Sequence, residues 1–300
     1  MGVLVAGVWK DIPREAARDG AFHRPESAFR GRISRDGPFT PHAGRYALWV
    51  SRACPWAHRT LIVRALKGLD RAIAVFYAEP GMAQNGWEFR DAPFRALHEV
   101  YSAAKPDYTG RVTVPVLWDR LTRRIVNNES ADILRMLNRD FDAFARRKLA
   151  DLYPEKLRKE IDGVNEIVYR GLNNGVYRAG FATAQDKYEQ AVSEVFRTLD
   201  WLERRLAGRR WLCGSRLTEA DVRLFTTLVR FDAVYCSHFK CNLRRVVDYP
   251  RLWRYTRRFY ALPRVAATVS MGEIKSHYYR SMKDINPTQI VPKGPLLSFR

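Results

Sequence analysis

One cysteine placed between a strand and a helix constrains the fold of this chain more than any other feature. The apolar run Tyr46-Ala-Leu-Trp-Val50 has the length and composition of a short strand. Ser51-Arg-Ala leads to Cys54, and Pro55 then opens a helical pattern reaching Leu69. Proline suits that first turn, where its missing N–H would have had no helical partner anyway. Ala72-Ile-Ala-Val-Phe-Tyr77 reads as a second strand, so the three segments open a βαβ unit.

The position of Cys54 carries chemistry. Unpaired N–H groups and the positive end of a helix dipole meet there, and both favour thiolate over thiol. Arg52 and Arg59 lie close enough in sequence to add to the effect. The fourth position of Cys-Pro-Trp-Ala is Ala57, where a dithiol enzyme would carry its resolving cysteine. A mixed disulfide on Cys54 must therefore be released by an external thiol, and glutathione is the abundant one in cytosol. The ordinary alternative is a buried, inert cysteine beside a proline.

Elsewhere the chain reads in four parts. Residues 1–44 form an N-terminal arm with little periodicity, and 45–140 an α/β domain. Residues 141–280 are all-helical, and 281–300 are an irregular tail. Within the α/β part a long insertion spans residues 79–111. The strand pattern Val112–Trp118 contains Pro115, which demands an edge, a bulge or a cis bond. A hairpin turn at 119–123 precedes a helix starting near Asn127-Asn-Glu-Ser130. In the helical part, apolar residues from Tyr188 to Leu206 recur at helical spacing. Thr218-Glu-Ala-Asp221 has the form of a capping box. Arg251–Tyr260 and Arg264–Met271 complete the helices expected.

Composition narrows the function classes. Lys and Arg number 52 against 32 Asp and Glu, a net charge of +20, which suggests a negatively charged partner. The excess is +9 over residues 1–150 and +11 over 151–300, so no basic tail stands apart. The clusters at Arg146–Lys148, Arg204–Arg205, Arg209–Arg210 and Arg257–Arg258 read as solvated helix faces. No zinc finger, helix-turn-helix or RNP-type motif is present, so nucleic acid is not the expected partner. With 46% hydrophobic residues the chain can bury a large core. No run approaches 18 apolar residues, so no segment is expected to span a membrane and no membrane partner is expected. Four cysteines and a start without a basic stretch point to a cytoplasmic protein. Cys236-x-His238-x-x-Cys241 has partial metal spacing but no fourth ligand, so no metal is expected.

Six stretches in order resemble the Xi class of the glutathione transferases, the glutathionyl-hydroquinone reductases. They are S-R-A-C-P-W-A-H-R-T (51–60), R-V-T-V-P-V-L-W-D (111–119), I-V-N-N-E-S (125–130), L-N-N-G-V-Y-R-A-G-F-A (172–182), F-D-A-V-Y (231–235) and H-F-K-C-N-L-R-R (238–245). F-H-R-P-E-S-A-F-R (22–30) matches the family's motif in the arm. The resemblance implies the glutathione transferase fold: a thioredoxin-like N-terminal α/β domain and an all-α C-terminal domain. It implies a homodimer, glutathione as co-substrate, and glutathionyl-hydroquinones as substrates.

Site roles follow from the same resemblance. Cys54 attacks the glutathionyl sulfur, and Tyr177 protonates the departing quinol. Tyr235 and Tyr278 hold the quinol oxygens or favour the thiolate, with Tyr279 a neighbouring candidate. Trp87 packs on glutathione, Arg111 meets a carboxylate, and Val114 pairs its backbone with the cysteinyl part. Glu129 and Ser130 hold the γ-glutamyl end, where plain helix capping is their ordinary alternative. Two other readings compete. One is an omega-like thiol transferase or dehydroascorbate reductase. The other is a non-catalytic transferase-like module that binds an acidic partner.

Overall fold

The computed structural model describes residues 2–12 and 19–299; residues 13–18 of the arm lie outside the described residues. The chain divides into two compact units. The first comprises residues 1–14, 26–150 and 267–281, and the second residues 15–25, 151–266 and 282–300.

The first unit is built on a four-stranded sheet. Its strands are β3 (Tyr46–Val50), β4 (Ile73–Tyr77), β6 (Val116–Asp119) and β7 (Arg124–Asn127), in the order β4-β3-β6-β7. β3 and β4 are parallel, joined by α1 (Pro55–Lys67), whereas β3–β6 and β6–β7 are antiparallel. Every residue of β3 and β6 is buried, as expected of central strands covered on both faces. Tyr46 pairs with Asp119 across β3 and β6. Beside that pair Arg45 donates two hydrogen bonds to the Asp119 carboxylate, at 3.0 and 2.6 Å. Helix α1 stops at Gly68, which at φ 64° returns its N–H to the carbonyls of Arg64 and Ala65. Its last residue, Lys67, is buried with its ammonium on Asn138 O and the Asp142 carboxylate. α1 packs along α3 (Ser130–Arg139).

Three elements of this unit depart from the sequence reading. The arm contains a hairpin, β1 (Val3–Val5) and β2 (Val8–Lys10), which forms a second sheet with β5 (Gly110–Arg111). Its two-residue turn puts Ala6 at φ 47° and Gly7 at φ 79°, the double positive φ of a type I′ turn. The insertion holds a helix, α2 (Leu97–Ala104), whose N-terminus is closed by Glu99 accepting from Ala96 N. The strand pattern Val112–Trp118 shortens to start after Pro115, whose ring nitrogen has no hydrogen for a ladder; the Val114–Pro115 bond is cis.

The second unit is helical, with α4 (Arg158–Val168), α5 (Gly175–Gly180), α6 (Gln185–Arg205), α7 (Glu219–Arg230) and α8 (Pro250–Tyr260). Two π-helical turns interrupt the α pattern: Tyr169–Asn173 continues α4, and Phe231–Tyr235 continues α7. Asn173, fully inside, donates to Thr227 Oγ1 at 2.7 Å and ties the first turn to α7. The capping box is formed: Asp221 accepts from Thr218 N at 2.8 Å and Thr218 Oγ1 at 3.1 Å. Asp221 also accepts from Leu212 N and Tyr255 Oη, so one carboxylate joins α7, α8 and the loop before α7.

The helix expected over Arg264–Met271 is a single 3-10 turn at Ala266–Thr268. Pro263 cannot donate to a preceding turn, and Arg264 sits at φ 68°, outside the helical region. The helix begins instead at Met271, as α9 (Met271–Ser281), and belongs to the first compact unit.

Candidate active site

Cys54 is the N-cap residue of α1, with extended backbone (φ −73°, ψ 121°) and no side-chain cap of its own. The half-buried Cys54 thus stands at the end of the helix where the first N–H groups lack helical partners. Sγ lies 3.7 Å from the carbonyl of Val114, the residue before the cis Pro115. The other three cysteines differ. Burial pushes the Cys213 thiol up to about 11 and the Cys241 thiol up to about 12, and it raises Cys236 as well. At all three, burial favours the thiol over the thiolate. His238, between Cys236 and Cys241, is held neutral by burial, down to about 4. Among the described residues, no group of three His, Cys, Asp or Glu side chains is gathered to hold a metal ion.

One turn along α1, Arg59 is 2% exposed. Its guanidinium lies over the Trp56 indole at 4.4 Å, and Nη1 donates to Ser130 Oγ at 3.3 Å. A buried cation thus connects the cysteine's helix to the N-terminus of α3. Glu129 is the N-cap of α3 and accepts from Ala131 N at 3.0 Å and from Ser130 Oγ at 3.3 Å. Its second oxygen accepts from Ser27 Oγ at 3.0 Å. Capping, the ordinary role considered for this pair, is therefore present. The arm segment after Pro25 straps the same corner. Phe29 N donates to Asn128 Oδ1 at 3.0 Å, and Arg30 clasps Asp132 at 2.6 Å.

Helix α9 supplies the rest. Arg52 donates to Glu273 at 3.1 Å, and His58 shares a hydrogen bond with Thr268 Oγ1 at 2.8 Å in the turn before α9. The imidazole of His277 stacks on Trp87 with ring centroids 4.8 Å apart. Both residues flanking Cys54 in the motif, Arg52 and His58, are thereby engaged by one segment more than 200 positions away. Tyr278 and Tyr279 on this helix are both buried, and Tyr278 meets His277 edge to face. Arg111 stands on β5, paired with Val3 of the arm hairpin, three residues before Val114.

In the second unit Tyr177 and Tyr235 come together, ring centroids 6.0 Å apart. Phe239 lies against both, and Phe22 and Phe181 extend the cluster around Tyr177. Arg24 places its guanidinium 5.5 Å from the Tyr177 ring and donates to Asn174 Oδ1 at 3.2 Å. Tyr235 sits in one π turn, a local geometry common at functional sites, and Tyr177 lies in α5, the helix after the other.

Two family models match the chain. Glutathione S-transferase, N-terminal domain, covers residues 53–140, and Glutathione S-transferase, C-terminal domain, covers residues 185–258. The chain is 51% identical to glutathionyl-hydroquinone reductase PcpF of Sphingobium chlorophenolicum, over 98% of this chain and 96% of the relative. It superposes on a Xi class glutathione transferase from Natrialba magadii with a TM-score of 0.93 and 45% identity, covering 100% and 95% of the two chains. The chain belongs to the Xi class of the glutathione S-transferase family. A glutathione-bound structure of YqjG, a glutathione transferase homolog from Escherichia coli K-12, matches with a TM-score of 0.90 and 46% identity. That match covers 99% of this chain and 97% of the other. The fold class expected from sequence, a thioredoxin-like domain followed by a helical one, is the fold of this family. Sequence reasoning missed His277, the return of α9 to the thioredoxin-like unit, and the Arg59–Ser130 connection. No helix of the described residues is long and apolar enough to cross a membrane.

Proposed function

We propose that this Xi-class chain reduces glutathionyl-hydroquinones to hydroquinones, with glutathione as the second substrate. The observation that carries the reading is Cys54 at the N-terminus of α1 with Ala57 where a resolving cysteine would stand. The Cys54 thiolate attacks the sulfur of the conjugate. An S–S bond forms, the bond between sulfur and the quinol ring breaks, and the electron pair goes to the ring carbon. That carbon takes a proton from the Tyr177 hydroxyl. A second glutathione then attacks the glutathionyl sulfur on Cys54 as a thiolate, its thiol proton replacing the one lost from Tyr177, and this releases glutathione disulfide and restores the Cys54 thiolate. The ring is reduced by two electrons as two glutathionyl sulfurs are oxidised to a disulfide.

Glutathione binding rests on Trp87, Arg111, Val114, Glu129 and Ser130. Glu129 has a carboxylate for the γ-glutamyl ammonium, and Ser130 with the α3 N-terminus suits its carboxylate. Val114 offers backbone groups next to Sγ, and Arg111 a guanidinium for a carboxylate. Tyr235 and Tyr278 take the quinol oxygens or favour the thiolate. The protein works in the cytoplasm, where reduced glutathione is abundant, and as a homodimer.

The test follows hydroquinone release from a glutathionyl-hydroquinone in the presence of glutathione, together with the intact mass of the protein. A glutathione adduct on Cys54 and loss of release in Cys54→Ser are expected. Release that survives in that variant would overturn the mechanism. Turnover of dehydroascorbate without turnover of the conjugate would instead assign the omega-like activity.

A further inference from the structure

An arginine-lined cleft in the helical unit is not used by this chemistry. In the sequence its residues look like scattered solvated charges, but α8 puts Arg251, Arg254 and Arg258 at i, i+3 and i+7, along one stripe. The turn after α6 carries Arg209 and Arg210 to the same place. Together the five line a cleft of about 450 Å³, floored by the buried Leu206 and Tyr255. Tyr255 turns its hydroxyl inward to Asp221, so only its ring faces the cleft lining.

Acidic neighbours do not balance this charge. Glu160 accepts from Arg209 at 3.2 Å but is shared with Arg205 at 2.6 Å. Glu203 lies 3.8 Å from Arg251 and spends both oxygens on the backbone N–H groups of Arg251 and Leu252. Arg258 donates to the carbonyl of Arg210 at 2.8 Å. Among the described residues, no carboxylate pairs with Arg210, Arg254 or Arg258. Five guanidinium groups against two partly committed carboxylates leave an uncompensated positive field within a concave site. Guanidinium forks match phosphate oxygens two at a time, and an anion would relieve the repulsion among them.

We propose that this cleft binds a compact ligand carrying two or more phosphate groups, at a site separate in residues from the cysteine chemistry. The footprint favours a small molecule over a nucleic-acid strand. Three of the five arginines stand on one helix of 11 residues, and the volume is in the range of small-ligand sites.

Calorimetric titration with inorganic tripolyphosphate at about 0.15 M salt tests the assignment. Saturable binding of one tripolyphosphate per chain is expected. Arg210→Gln/Arg254→Gln should weaken it by about tenfold or more, with melting temperature and glutathionyl-hydroquinone turnover unchanged. Arg146→Gln/Arg147→Gln removes the same charge from another exposed segment and should leave binding intact. Three results would overturn the proposal: no saturable binding, an equal loss in both double variants, or tighter binding to a short DNA duplex than to tripolyphosphate.

Discussion

The imidazole of His277 lies nearly parallel to the indole of Trp87, centroids 4.8 Å apart and planes inclined by 21°. Trp87 comes from the insertion after β4, and His277 from α9, so the stack closes one ring face of the residue proposed to pack on glutathione. Ser281 holds His277 Nδ1 at 3.4 Å and also accepts from Met82 N at 2.8 Å, so the insertion and the helix are pinned at two points.

His277→Ala should therefore loosen Trp87 without touching the sulfur chemistry. An aromatic pair contributes about 0.5–1.5 kcal/mol beyond its buried area, so the KM for glutathione should rise by about 3- to 10-fold with little change in kcat. His277→Phe keeps the stack and should restore most of the loss. A fall in kcat at unchanged KM would place His277 in the chemical step instead.

Glu129 caps α3, and the proposed function adds a second role, meeting an ammonium, that can be separated from the first. Glu129→Gln retains an oxygen for Ala131 N, so the cap and the melting temperature should be preserved. Glu129→Ala should lose the cap as well, at a cost of about 1 kcal/mol in urea unfolding. If the carboxylate binds the ammonium, both variants raise the glutathione KM, by about tenfold or more for a lost charged hydrogen bond. Unchanged KM in Glu129→Gln would leave capping as its whole role.

What could be read in advance, and what could not, follows from the range of each signal. Cys54, Pro55 and the helix behind them are legible because proline and the apolar period act within a few residues. Thr218 and Asp221 are legible for the same reason, since a capping box spans one turn. The β1–β2 hairpin is not: three-residue strands carry no period, and Ala6-Gly7 lacks the Asn-Gly or Asp-Gly pair that marks such turns. The helix Met271–Ser281 was hidden because its inward residues are Ile274, His277, Tyr278 and Tyr279, only one of them aliphatic. Its attachment to Arg52 and Trp87 is a matter of partners roughly 190 or more positions distant, which no local pattern encodes.

Gly180 offers a test of the tyrosine cluster. A Cβ there would stand 2.2 Å from Phe239 Cγ, and Phe239 in turn touches Tyr177 and Tyr235. Gly180→Ala must displace the phenyl ring that touches both tyrosines, and overpacking of this kind costs about 1–3 kcal/mol. The melting temperature should fall, and kcat for the quinol conjugate should fall with it, while the KM for glutathione stays constant. Adding Phe239→Leu makes room and should recover stability. A melting temperature unmoved by Gly180→Ala would contradict the packing described.

The buried carboxyl of Asp221 sets a pH dependence opposite to the usual one for acids. Burial pushes it up to about 6, against the opposing hydrogen bonds from Leu212 N, Thr218 and Tyr255. The unfolded chain keeps the ordinary value near 3.8. Between these two values the native state binds more proton than the unfolded state, so this group's stability contribution falls as pH rises. It is fully present below about pH 4 and lost as pH passes about 6, an effect of roughly 2–3 kcal/mol. Asp119 runs the other way: despite its burial, the Arg45 fork, Thr122 and Leu121 N hold its carboxyl below the usual range. Its contribution is present at neutral pH and lost only in acid. Urea unfolding of the wild type and Asp221→Asn isolates the first effect, since asparagine does not titrate. The stability of the wild type relative to the variant should be greater at pH 4.5 than at pH 7. A difference that grows as pH rises would mean that the four hydrogen bonds outweigh burial and keep Asp221 ionised.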